Sequence, residues 1–408
     1  MRVGILVSHP IQYYTPLFRE LARRLDLSVL YASRGSPKQQ ASAGFGVEFE
    51  WDIDLLSDYQ HAFLNNVARR AGTNSFFGCD TPAIADVIAR DKFDAFVVFG
   101  WYLKSHWQAV RACKRHNIPV LVRGDSQLQS PHSTVKKWFK HGSHRLALRQ
   151  FDGFLSVGKR NREYLLHYGA PAERIFFSPH FVDNDWFAKQ AEEVRSQRSE
   201  IRRRWRIPED AFCVLFCGKF IPKKRPLDLA KAAQLLISNN RLPNIHLLFV
   251  GSGELGSELR SNCSVAFDAE SPTSDLRPPT SETKPSASFA GFLNQSEIPQ
   301  AYIAADVLVL PSDGSETWGL VVNEGMACGL PAIVSDAVGC GPDMIDEGRT
   351  GFTFAFGDPD ALEKRLVEIG GLRRGKQNFA DALRRKMNVY SVEAAVQGTL
   401  RATSLLCR

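Results

Sequence analysis

Two glutamates raise the first chemical question. In "SDGSETWGLVVNEGMACGLPAIVSD", residues 312–336, Glu316 and Glu324 stand eight positions apart, and Glu324 lies in a run that is otherwise almost wholly apolar or small. A carboxylate that loses its water in such a run must find partners, or the fold is destabilised. "WGLVVNEGMACG" reads as a buried helix stopped by Gly329 and then Pro331. Its start, around Thr317 to Leu320, offers unpaired backbone N–H groups and the positive end of a helix dipole, which suit a phosphate. Glu316 would flank that phosphate, and Glu324 would reach a second part of the same ligand. Carboxylates accept hydrogen bonds from hydroxyls. Two of them bracketing a phosphate fit a ligand with hydroxyls on both sides, as a nucleotide sugar has. The alternative is a structural pair, one glutamate capping the helix and the other paired with a buried arginine.

A second constellation is basic. In "CGKFIPKKRP", residues 217–226, a strand ends at Gly218, Lys219 follows, and Lys223, Lys224 and Arg225 precede a helix expected to start at Pro226. Lys219 and Lys224 can converge on one point from two sides of the turn, as neutralising a diphosphate leaving group requires. A solvated basic turn is the other reading, and the position after a strand of a doubly wound unit favours the ligand. In "SHPIQYYTP", His9, Gln12, Tyr13 and Tyr14 precede a helix expected to be capped by Thr15 with Pro16 in its first position. These residues would read acceptor or donor phosphate, while a loop histidine bonded to backbone is the equal alternative for His9. "WDID", residues 51–54, holds an acidic D-x-D of the kind used by metal-dependent transferases. Three-residue acidic patterns arise readily by chance, so no metal requirement is expected. No Ser/His/Asp or Cys/His arrangement for nucleophilic catalysis stands out.

These residues need elements to position them. Apolar runs such as "VGILV" (3–7), "FDAFVVFG" (93–100), "PVLVRG" (119–124), "FCVLFCGK" (212–219), "IHLLFVGSG" (245–253) and "ADVLVLPS" (305–312) alternate with amphipathic stretches. Strands without in-out alternation, each followed by a helix, indicate α/β architecture with parallel sheets covered on both faces. The pattern restarts after the charged stretch 188–210, so two doubly wound, Rossmann-like units are expected, over 1–185 and 186–388, with 389–408 as a terminal helix. Ligands of such sheets lie at the carboxyl ends of the strands, which places the expected site in a cleft between the units. Residues 263–288 are rich in Ser, Thr and Pro and poor in large apolar residues, and read as a flexible insertion.

Composition sets the outer bounds. The chain has 408 residues with a net charge of +7, which favours an anionic partner. Its eight cysteines include no C-x-x-C pair, which argues for reduced thiols in a cytosolic protein rather than a disulfide framework or zinc site. The apolar run at the start is too short for a signal-peptide core, and no stretch approaches the roughly 20 apolar residues of a membrane span. "HSTVKKWFKHGSHRLALRQF", residues 132–151, sets Val135, Trp138, Phe139, Gly142 and Leu146 at helical spacing among Lys and Arg. That pattern suits an anionic bilayer, or a helix packed on the sheet with a basic outer face.

"GKFIPKK", "FVGSGE", "AGFLNQSEIPQAYIAADVLVLPS" and "ETWGLVVNEGMACGLPAIVSDAVGCGPDMI" resemble, in order and spacing, the carboxyl-terminal half of the retaining family 4 glycosyltransferases of the GT-B fold. The resemblance covers about residues 153–400, including "SPHFVDNDWF", and the amino-terminal "SHPIQYYTPLFRELA" and "VLVRGDSQL" are similar to a bacterial subset. It implies that Lys219 and Lys224 meet the donor diphosphate, although the first position is more often arginine, and lysine offers a point charge in place of a fork. It implies that Glu316 contacts hydroxyls of the transferred sugar, that Glu324 holds the ribose, and that backbone amides near Gly319, Leu320 and Val321 meet phosphate. Gly218, Gly251 and Phe292, in the matching motifs, fall on the donor side. Asp125 stands where many members have a histidine near the donor sugar, with Arg123 beside it to hold it in place. The terminal helix would cross back to the first domain.

The implied activity is metal-independent, hexosyltransferase-type transfer with retention, from a nucleotide-diphosphate sugar to a hydroxyl of a glycan, polysaccharide or glycolipid, with no cofactor. The leaving phosphate oxygen would take the proton of the attacking hydroxyl. Partners would be donor, acceptor and an anionic membrane surface, with no nucleic acid, and the setting cytoplasmic or peripheral to the inner membrane face. An epimerase of the same fold and a non-catalytic nucleotide-binding subunit are the competing functions.

Overall fold

The computed structural model describes residues 1–35, 49–129, 142–242, 244–271, 284–375 and 378–407. The chain divides into two units, one of Met1–Gln39, Ile53–Asp183 and Val389–Arg408, the other of Gln40–Asp52 and Asn184–Asn388.

The first unit is built on seven parallel strands: β1 (Arg2–Val7), β2 (Asp26–Tyr31), β3 (His61–Phe63), β4 (Ala95–Phe99), β5 (Val120–Gly124), β6 (Gly153–Ser156) and β7 (Ile175–Phe177). They lie in the order β3-β2-β1-β4-β5-β6-β7. Both sheet faces are buried, which is why the strands read as continuous apolar runs. Val3, Ile5 and Val7 pack with Leu17, Phe18 and Leu21 on one face, while Leu6, Phe96 and Val98 pack with Ile84, Ala109 and Cys113 on the other. The helix Val392–Leu406 covers the first of these faces through Ala395, Val396 and Ala402. Ser391 caps it by accepting from the Ala394 N–H, and Ser178 Oγ donates to the Ala395 carbonyl at 3.1 Å.

The second unit repeats the plan with β8 (Phe212–Cys217), β9 (Ile245–Val250), β10 (Ser264–Asp268), β11 (Ser286–Gly291), β12 (Val307–Leu310), β13 (Ala332–Ser335) and β14 (Gly351–Phe354). The order is β10-β11-β9-β8-β12-β13-β14, again parallel. The charged stretch before it forms helices Asn184–Arg195 and Arg198–Arg204. Arg202 is buried there, donating from Nε to the Ala304 carbonyl and from Nη2 to Asp306 Oδ2, at 2.9 and 2.8 Å.

Two expectations are corrected. The flanks of 263–288 are ordered strands, because an edge strand needs few apolar side chains and Asp268 is held by Arg260 at 2.6 and 3.0 Å; residues 272–283 lie outside the described residues. Thr15 is not the cap of its helix. It is the first helical residue, after Tyr14, and its buried hydroxyl donates to the Leu55 carbonyl at 3.1 Å. The membrane-compatible stretch 132–151 falls partly outside the description, which resumes at 142 and shows 142–148 as helix. Among the described residues no helix is long and apolar enough to cross a membrane.

Candidate active site

In the second unit the basic turn and the glutamate loop meet at the carboxyl ends of β8 and β12. Gly218 follows β8 with φ 150°, and Gly251 follows β9 with φ 126°; a Cβ on Gly251 would collide with the Gly218 carbonyl, so only glycine permits this approach. After Lys219 the chain makes a 3₁₀ turn at Pro222–Lys224 and enters the helix Pro226–Ser238, with Arg225 held by Asp228 at 2.8 and 2.9 Å. The Asp313 N–H donates to the Lys223 carbonyl at 2.9 Å, tying this turn to the loop before Glu316. Lys224 Nζ then bonds Glu316 Oε2, and both side chains are largely buried.

Lys219 shares this neighbourhood. Burial first, then Lys223 and Lys224, push its ammonium down to about 8, and Glu316 opposes the shift. Lys223, Lys224 and Glu316 are thus electrostatic neighbours of Lys219 in a partly desolvated corner.

The helix carrying Glu324 spans Leu320–Ala327, with Gly319 as its N-cap at φ 102°. No side chain caps it and its first turn holds no acid, so Leu320 and Val321 lie at an unblocked positive helix end. The loop ahead of it is pinned: the Gly339 N–H donates to the Glu316 carbonyl at 2.9 Å and the Cys340 N–H to the Trp318 carbonyl at 3.1 Å. Trp318 Nε1 donates to Asn323 Oδ1 at 2.8 Å in the interior.

Glu324 is only 6% exposed. Its Oε2 accepts from the Tyr302 hydroxyl. Cys217, at the end of β8, is pushed up to about 12 by burial and by the Glu324 charge, with Lys224 opposing. This places Glu324 beside the same strand end as the lysines. Lys224 is thus a partner of Glu316, and Tyr302 a partner of Glu324. Phe292 lies just past β11, its ring 4.4 Å from that of Phe49.

In the first unit, His9, Gln12 and Tyr13 follow β1, and Arg123 and Asp125 lie at the end of β5. Ser8 Oγ and His9 Nδ1 are 2.9 Å apart, and burial lowers the His9 pKa. Gln12 is buried, Tyr13 half-buried and Asp125 exposed. Arg123 is 2% exposed and donates to the Pro179 carbonyl at 2.8 Å, with its guanidinium 5.5–5.7 Å from the ring centroids of Tyr14, Phe99 and Phe181. Asp125 is its electrostatic neighbour.

The D-x-D carboxylates serve separate local roles. Asp52 Oδ2 accepts from the Ser296 N–H and hydroxyl, while Asp54 Oδ1 accepts from the N–H groups of Leu56 and Ser57. They fall in different units. Among the described residues no group of three or more His, Cys, Asp and Glu could hold a metal ion.

Tyr302 and the Trp318–Asn323 bond are the site residues that sequence reasoning missed. Both lay inside the matching motifs, but only tertiary packing reveals their partners.

Comparison with known proteins accords with this geometry. The family described as "Glycosyl transferases group 1" matches residues 211–370, and that described as "Glycosyl transferase 4-like domain" matches residues 10–179. The chain is 25% identical over 308 residues, 74% of its length and 67% of the relative's, to D-inositol 3-phosphate glycosyltransferase of Thermomonospora curvata. Other curated relatives are matched over about a third to about half of their length. A glycosyltransferase from Rickettsia africae superposes with TM-score 0.69 at 16% identity, covering 100% of this chain and 99% of the other. HepE of Anabaena, solved with UDP, superposes with TM-score 0.65 at 16% identity, covering 99% and 100%. With both halves matched and two parallel seven-stranded sheets in place, the chain belongs to the family 4 type of GT-B glycosyltransferases.

Proposed function

We propose that the protein transfers a sugar, with retention, from a nucleotide-diphosphate sugar to a hydroxyl of a growing glycan, polysaccharide or glycolipid on the cytoplasmic side, without a metal ion or further cofactor. The Lys224–Glu316 pair beside Lys219, at an uncapped helix end, carries this reading. Three lysines form a cluster in which burial and its two neighbours hold Lys219 near 8. A diphosphate entering it would relieve the repulsion, and the gain grows as the leaving group takes on charge. Lysines would thus neutralise the departing diphosphate.

Glu316, with Oε2 held by Lys224, would accept hydrogen bonds from hydroxyls of the transferred sugar. Glu324, oriented by Tyr302, would hold ribose hydroxyls. The bond between the anomeric carbon and the phosphate oxygen breaks as the acceptor oxygen bonds that carbon on the same face. The acceptor proton passes to the departing phosphate oxygen, so the protein supplies charge stabilisation rather than a general base. HepE, solved with UDP, makes uridine diphosphate the first donor nucleotide to try.

The experiment is transfer from a panel of nucleotide sugars to glycan and lipid-linked acceptors, with Glu316→Ala alongside. Transfer by the wild type and its loss in a folded variant support the reading. Conversion of the donor with no acceptor would favour an epimerase, and binding without turnover a non-catalytic subunit. Full activity of Glu316→Ala would remove the site assignment, and activity lost in EDTA and restored by Mn²⁺ would remove metal independence.

A further inference from the structure

Between Asp58 and Asp80 the chain carries no acidic residue, but it carries Arg69, Arg70, Phe76 and Phe77. This stretch leaves the carboxyl end of β3 and forms a closed loop. The Val67 N–H donates to the Asp80 carbonyl at 2.8 Å, and the Gly72 N–H to the Gly78 carbonyl at 3.0 Å. Asn66 bridges the neck, donating from Nδ2 to the Gly78 carbonyl and accepting from the Asp80 N–H, at 3.0 and 2.9 Å.

The tip, Thr73 to Phe77, presents its rings to solvent. Phe77 is 71% exposed and Phe76 43%, with the two rings 4.9 Å apart, edge to face. Tyr102, 53% exposed, follows β4 and donates its hydroxyl to the Thr73 carbonyl, so it stands against the same tip. Val67 is exposed on the neck, and Arg69 and Arg70 are exposed on the arm between neck and tip. Neither arginine forms an ion pair among the described residues.

Exposed phenylalanine rings in contact with water are unfavourable unless something covers them. Aromatic rings at a tip with two arginines behind them, on a stretch whose sequence from 59 to 79 holds no acid, match the interface of an anionic bilayer. The rings settle among acyl chains and headgroups, and the guanidinium groups meet lipid phosphates. The neck is already closed by hydrogen bonds, so insertion orders little additional chain. The loop lies at the carboxyl edge of the first sheet, the same edge as His9, Arg123 and Asp125.

We infer that the 66–80 loop, with Tyr102, docks the protein on an anionic lipid surface through Phe76 and Phe77, with Arg69 and Arg70 binding headgroup phosphate. This deepens the proposed function by giving the acceptor a membrane-borne form, and it rests on that reading to this extent.

The test is sedimentation of the full chain with vesicles of phosphatidylcholine alone or mixed with phosphatidylglycerol, at low and high salt and without substrate. The wild type should bind only the mixed vesicles, and less at high salt. Phe76→Ser/Phe77→Ser and Arg69→Gln/Arg70→Gln should each weaken binding by about tenfold or more, as two buried rings or two interfacial charges imply. UDP-induced thermal stabilisation, which reads the donor site alone, should be unchanged in both. Absence of wild-type binding, or equal binding by Phe76→Ser/Phe77→Ser, overturns the inference. So does a concentration-dependent dimer abolished by that variant, which would make a second copy the occupant. Vesicle binding as expected with no response to any nucleotide diphosphate would retain this surface and reject the donor-site reading.

Discussion

Lys224 Nζ and Glu316 Oε2 form a hydrogen-bonded ion pair although 92 positions separate them in the chain. Each comes from a loop at the carboxyl end of a strand, and the Asp313–Lys223 backbone bond fixes the two loops together. Replacing Lys224 by Gln should lower kcat by about 10²–10³, the scale of losing one charge-stabilising donor. The helix Pro226–Ser238 should remain, because its start depends on Pro226 and on the Arg225–Asp228 pair. Steady-state kinetics with an unchanged far-UV spectrum checks this.

Tyr302→Phe removes the hydroxyl that donates to buried Glu324. The carboxylate would lose a charged hydrogen bond, and stability should fall by about 1–3 kcal/mol in urea unfolding. Nucleotide affinity should fall about tenfold with a smaller effect on kcat, since Glu324 is assigned to the ribose rather than to the reacting centre.

Lys219 is held near 8 by burial and by two neighbouring lysines. A bound diphosphate favours its charged form, so binding above that pH must take up a proton. Nucleotide-diphosphate affinity should be level below about pH 8 and weaken by up to tenfold per pH unit above it. In Lys219→Arg, which keeps its charge throughout this range, the dependence should disappear. Titration calorimetry from pH 7 to 9.5 measures it.

Burial holds His106 and His246 neutral, each lowered to about 3. His246 Nε2 lies 2.8 Å from Ser288 Oγ, whose hydroxyl donates to the Trp205 carbonyl at 2.5 Å, so Nε2 carries the proton. In the unfolded chain these rings bind a proton near pH 6.5. The stability they contribute is therefore complete above that pH and is lost as pH falls toward 3. Each adds up to about 1.4 kcal/mol per pH unit to the slope, and His246→Gln should remove one share. Urea unfolding between pH 7 and 5 separates this slope from the titration of the carboxylates.

The central strands and the helix stopped by Gly329 were legible in the sequence because their signals are local apolar runs and glycines, while the short or edge strands β3, β7, β10, β11 and β14 carry no such run. Lys224 and Glu316 could be expected at one ligand on chemical grounds, but their direct bond depends on how the loops after β8 and β12 pack. Tyr302 as the partner of Glu324 depends on the packing of two helices and left no trace in spacing. β10 and β11 leave little trace in the sequence because a Ser- and Pro-rich stretch separates the two paired strands. Thr15 looked like a cap because its residue type suits one, and the nearby Leu55 carbonyl captured its hydroxyl.

Whether Lys219 and Lys224 bind the donor diphosphate is read by a binding titration of nucleoside diphosphates against the wild type and Lys219→Ala/Lys224→Ala. The wild type should bind at least one of them, and the double variant, still folded by circular dichroism, should bind it at least about a hundredfold more weakly, as the loss of two charge-assisted contacts implies. Equal affinity in the two proteins would show that these lysines do not hold the diphosphate.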